Sequence, residues 1–115
     1  MELDRESIGL TVENQGAIAE IESRGWFVDG QDIARFSLAY AVRAKVPDGG
    51  STGTETRWAA GNFDKTGEIR ALLVALYPDC PTPVKLMEHL VNVGMSMILA
   101  RLSSSQAIGP ADLMD

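Results

Sequence analysis

Apolar residues recur along this chain at two spacings. Ser7 to Val12 alternates, with Ile8, Leu10 and Val12 on one side and Ser7, Gly9 and Thr11 on the other, the period of a short strand or extended arm. From Glu13 to Arg24 the spacing becomes helical through Ala17, Ile18 and Ile21, and Gly25 can end that helix because it enters the left-handed region without a side-chain penalty. A stronger pattern follows. Asp29 can cap a second helix and Asp32 suits its first turn, after which Ile33, Phe36, Tyr40, Ala41 and Ala44 form a broad stripe flanked by Leu38 and Val42. Ala34 and Ala39 allow another helix to approach closely. Trp26 and Phe27 fall between the two helices, where large rings either close a corner of the core or anchor a partner.

The pattern stops between Lys45 and Thr56, where Pro47, Gly49, Gly50 and Gly53 predict a long loop that Trp58 and Phe63 can pin to the core. Ile69, Leu72, Leu73 and Leu76 then share one face of a helix starting near Lys65 or Gly67, with Asp64 or Thr66 as its cap. Pro78 and Pro81 break the chain, and Thr82 followed by Pro83 reads as the start of a fourth helix reaching Leu102, roughly 30 Å long. Leu86, Leu90, Val93 and Met97 make one apolar row on it, beside Met87, Val91, Met95 and Ile98. That width exceeds what one neighbour covers. The helix either runs through the centre of the core or buries a second face in a dimer, and Met87, Met95 and Met97 suit both because thioethers adapt to irregular surroundings. Gly94 permits a close crossing. The expectation is a mainly α, compact bundle of about four helices with a short N-terminal strand or arm: one helical domain over residues 1–102 and a flexible tail over 103–115.

Composition narrows the function classes. With 115 residues, 45% of them hydrophobic, the chain can build one core and hardly a second. Acidic residues outnumber basic ones 16 to 10, and the excess is concentrated in residues 1–32. Such a distribution disfavours nonspecific nucleic-acid affinity, which needs clustered Lys and Arg. The single cysteine, Cys80, excludes an internal disulfide. The first residues lack the pattern of a secretory signal and no apolar run is long enough to cross a bilayer, so a cytoplasmic protein without membrane attachment is expected.

Reactive chemistry is sparse. His89 is the sole histidine, its helical neighbours Lys85 and Val93 are neither acid nor ligand, and the carboxylates Glu13, Glu20, Glu68 and Glu88 are scattered. The Gly/Ser loop lacks the lysine and the preceding strand of a phosphate-binding loop. No catalytic, metal or cofactor residue is assigned, and the expectation is a non-enzymatic accessory protein that binds another protein, and itself as a homodimer, through Trp26, Phe27, Met87, Met95 and Met97. The alternative is a DNA-binding regulator using Thr11, Arg35, Arg43, Lys45 and Arg57.

Trp26-Phe27, the run Asp32 to Ala41 (DIARFSLAYA), Trp58, Glu68 to Leu72 (EIRAL) and Glu88 to Gly94 (EHLVNVG) together resemble the small dnd system-associated proteins. The resemblance covers roughly residues 20–102. It implies an accessory role in bacterial DNA phosphorothioate modification and defence, and carries no site residues with it. The order strand, helix, turn, helix over Ser7 to Ala44 also resembles ribbon-helix-helix regulators, in which paired strands enter the major groove. By that resemblance Ser7, Gly9 and Thr11 would face DNA.

Overall fold

The computed structural model describes residues 3–104. Chain order is β1 (Ser7–Leu10), α1 (Val12–Glu22), α2 (Gly30–Arg43), β2 (Glu55–Ala59), α3 (Ala60–Phe63), α4 (Glu68–Leu76) and α5 (Pro83–Ser104). The helices start where side chains can satisfy their free amides. Thr11 accepts from the Asn14 N–H at the start of α1, and Asp29 accepts from the Asp32 N–H, 2.9 Å away, at the start of α2. Asp64 reaches over Gly67, whose φ of +78° suits glycine, and its carboxylate takes the amides of Ile69 and Arg70, each at 3.0 Å. The cap of α5 comes from the other end of the chain. Both oxygens of Asp4 accept from its first turn, Val84 N–H at 3.0 Å and Lys85 N–H at 2.9 Å, so the N-terminal segment is tied to the last helix.

Core packing centres on α5. Leu86, Met87, Leu90, Val91, Met95 and Ile98 are all buried, and α2, α1, β1 and α4 surround them. Of the two explanations for the width of this helix, the central position within its own chain holds, and two residue assignments are corrected. Met87 and Met95, expected on an interaction surface, are 1% and 0% exposed and belong to the core. Met97 remains half-buried. The crossing with α2 is tight, because a Cβ added at Gly94 would overlap the Ser37 carbonyl oxygen. Ser37 itself stays satisfied by donating to the Ile33 carbonyl at 2.8 Å.

The two strands form an antiparallel pair with Ser7 opposite Ala59, Ile8 opposite Trp58, Gly9 opposite Thr56 and Leu10 opposite Glu55. Arg57 has no counterpart and is the extra residue of a bulge. Nothing in the loop sequence announced β2. Four of its five residues are exposed, so no apolar alternation marks it, and pairing with β1 is what makes it a strand. Gly9 lets the two backbones meet, since a Cβ there would lie 2.6 Å from the Glu55 carbonyl oxygen. Among the described residues the outcome is a compact, mainly helical bundle of five helices with a short N-terminal strand, where α3 is a single turn. Helix α5 extends through Ser104, two residues beyond its expected end, and the rest of the expected tail lies outside the described residues.

Candidate functional site: a polar seam on α5 and an apolar face on α4

Glu88, Asn92 and Ser96 repeat every four residues and so share one face of α5, against β1 and α1. Glu88 is 2% exposed. Its Oε2 accepts from the Gly9 N–H at 2.9 Å and from the Thr54 hydroxyl at 3.2 Å, while Oε1 faces Arg5 Nη1 at 2.8 Å. That last contact is an ion pair by distance, but its alignment falls outside hydrogen-bond geometry. Asn92 accepts at Oδ1 from the Thr11 N–H and from Asn14 Nδ2, both at 3.0 Å, and donates from Nδ2 to the carbonyls of Gly9 and Glu88. Ser96 donates to Asn14 Oδ1 at 3.2 Å. The side chains of Glu88 and Asn92 therefore close the edge of β1 as a neighbouring strand would. The seam holds the fold together and leaves little polar capacity for a ligand.

Over the first half of α5 lies the Gly-rich loop. Arg5 donates to the Thr54 hydroxyl and the Ser51 carbonyl, and Ser51 Oγ is 3.3 Å from His89 Nδ1. Side chains at Gly49 and Gly50 would crowd His89 Nε2 and Lys85 Cε, with added Cβ atoms 2.8 and 2.9 Å away. Burial holds the His89 pKa below its usual value, opposed by the charge of Asp48. Burial, and then the same Asp48, raises that of Tyr77, whose hydroxyl donates to the Val46 carbonyl at 2.6 Å. Residues 49–53 read Gly-Gly-Ser-Thr-Gly, the spacing of a hydrolase nucleophile elbow, which sequence reasoning overlooked. The surroundings differ from an elbow: no strand leads directly into Ser51 and no helix follows it. Beside this loop an open groove of about 660 Å³ runs between the start of α1 and the second half of α5, over Val12, Val93, Met97 and Ala100. Among the described residues no group of three or more His, Cys, Asp or Glu is arranged to hold a metal ion.

The residues singled out from the sequence are dispersed. Trp26 and Phe27 are half-buried and packed against the core, with Phe27 and Phe36 ring centroids 5.2 Å apart and the Arg24 guanidinium 5.8 Å from the Trp26 ring. Thr11 is the cap of α1, and Gly9 is buried in the seam, so the face expected to meet DNA retains Ser7 alone. Arg35 is committed to structure. It donates to the carbonyls of Asn62 and Phe63 and to the side chains of Gln31 and Asp32, fastening α3 to α2. Arg43 and Lys45 are exposed at the end of α2, and Arg57 is exposed on β2.

Helix α4 departs furthest from expectation. Of its expected buried stripe only Leu73 is buried and Ile69 half-buried, whereas Leu72 is 46% and Leu76 50% exposed, and Val74 on another side is 53% exposed. Leu76 and Tyr77 continue into a groove of about 340 Å³ with Val42, Val46 and Pro47. Comparison with family models, curated proteins and solved structures finds no match to this chain. Among the described residues no helix is long and apolar enough to cross a membrane.

Proposed function

We propose that this chain is a non-enzymatic accessory protein that docks a protein partner on the apolar face of α4. One observation carries the reading: Leu72 and Leu76 share one face of a short helix and are each about half exposed, whereas most other large apolar side chains among the described residues reach the core. The resemblance of residues 20–102 to dnd system-associated proteins supports a partner drawn from a DNA-modification or defence cluster. The experiment is affinity capture with the native chain and with a Leu72→Glu/Leu76→Glu variant of equal melting temperature. A protein retained by the first and lost by the second supports the reading. Equal retention rejects the α4 face, and no retained protein rejects the role.

The second reading, DNA binding, draws on the exposure of Arg43, Lys45 and Arg57. Titration against duplex DNA at about 0.05 M salt tests it, since cation–phosphate contacts are strongest at low ionic strength. No binding there removes it.

A further inference from the structure

The two edges of the β1–β2 ribbon are finished in opposite ways. On the β1 side the Gly9 N–H donates to Glu88 and its carbonyl accepts from Asn92, so that edge is closed by side chains. Because Gly9 turns both backbone groups away from β2, its pair with Thr56 is of the non-hydrogen-bonded kind, and the N–H and carbonyl of Thr56 point to the outer edge. Nothing among the described residues covers that edge: Glu55, Thr56 and Arg57 are all exposed. The flanking charges have opposite sign and are spaced evenly about Thr56.

We propose that two copies of this chain associate through β2, antiparallel about a two-fold axis at Thr56, to form a four-stranded sheet. In that register Thr56 meets Thr56 of the second copy as a hydrogen-bonded pair, Glu55 lies opposite Arg57, and Arg57 lies opposite Glu55. Charges on an edge strand ordinarily oppose pairing with another strand. Here the two-fold axis converts them into two attractive cross-strand pairs, a complementarity that any other register of the same strand loses. The bulge at Arg57 confines regular pairing to the neighbourhood of Thr56, so the association is weak and concentration-dependent. Neither Glu55 nor Arg57 makes an ion pair among the described residues; the Arg57 guanidinium sits 5.4 Å from the Trp58 ring. Swinging it towards a second copy therefore breaks no salt bridge. This proposal is independent of the α4 surface.

Light scattering after size-exclusion chromatography, with sedimentation from about 5 µM to about 1 mM, measures self-association over the range a small interface populates. The native chain is expected to dimerise within that range. Glu55→Arg alone and Arg57→Glu alone each place like charges opposite one another in both pairs, and each should weaken the dimer by about tenfold or more. The double variant Glu55→Arg/Arg57→Glu regenerates both pairs with sign exchanged, and should self-associate within about threefold of the native chain while failing to mix with it. Leu72→Glu/Leu76→Glu should leave the dimer unchanged, which separates this surface from the α4 face. A monomer throughout the range, single reversals without effect, or a double variant no stronger than either single one overturns the proposal.

Discussion

Helix α4 carries a narrow apolar stripe and α5 a wide one, yet the wide one is engulfed by its own chain and the narrow one is half bare. Three features drive the burial of α5. Asp4 holds its first turn, the Glu88–Asn92–Ser96 seam joins it to β1 and α1, and the glycine at position 94 lets α2 settle against it backbone to backbone. Helix α4 has its Asp64 cap, Leu73 and the Tyr77 hydroxyl bond, and little else. Hydrophobic periodicity reports which face of a helix favours burial. It does not report whether the same chain supplies the cover.

The largest expected effect lies at the α2–α5 crossing. Gly94→Val would drive its branched Cβ into the Ser37 carbonyl, which is backbone and cannot swing aside, so the helices must separate. The cost should be about 3 kcal/mol or more, enough to unfold a marginal domain. Urea denaturation of the variant measures it. A cost under about 1 kcal/mol would mean that the crossing is looser than its geometry, and would weaken the contrast with α4.

A within-helix comparison is sharper. Leu73→Ala empties a buried position and should cost about 3 kcal/mol, while Leu72→Ser and Leu76→Ser, on the bare side of the same helix, should each cost under about 1 kcal/mol. Equal losses at all three positions in the isolated chain would mean that the bare side is covered in solution and is not a free docking face. Trp26 falls between these cases. A fully buried Trp→Ala change costs roughly 3 to 5 kcal/mol, and a half-buried ring packed on the core should give about 2 kcal/mol. A melting temperature unaltered by Trp26→Ala would return this corner to the list of partner anchors.

The helical part of this architecture was legible because each helix carries its own period and its own punctuation. Asp29 and Asp64 cap the helices they precede in sequence, Gly25 has the expected positive φ, and Thr82-Pro83 stands at the start of α5. What escaped were features made by residues far apart in sequence. No local signal couples Asp4 to Val84 or Gly9 to Glu88, about 80 residues away, and β2 exists only because β1 pairs with it. The methionines show the same limit. Met87 and Met95 look adaptable enough for an interface, but only the arrangement of α1, α2 and β1 around α5 places them inside. Of the cations suggested for DNA, Arg35 is tied to Asn62 and Phe63 by contacts that no spacing rule anticipates.

The smallest expected effect probes His89, on the rim of α5 beneath the Gly-rich loop. His89 is half-buried under Ser51 and Gly49, and burial keeps its pKa below the usual value for histidine, near 6.5, with Asp48 pulling the other way. The unfolded chain therefore binds a proton at a pH where the folded chain does not, and stability rises with pH across that interval. The contribution is fully present above about pH 6.5 and is lost as pH falls through the folded value. His89→Gln removes this titration and leaves every carboxylate in place, so the native chain should lose more stability than the variant between about pH 8 and about pH 5. Thermal melts of both proteins at matched ionic strength give the comparison. If the native chain instead gains on the variant towards acid, the attraction of Asp48 outweighs burial, and the Gly-rich loop is held to α5 more by charge than by packing.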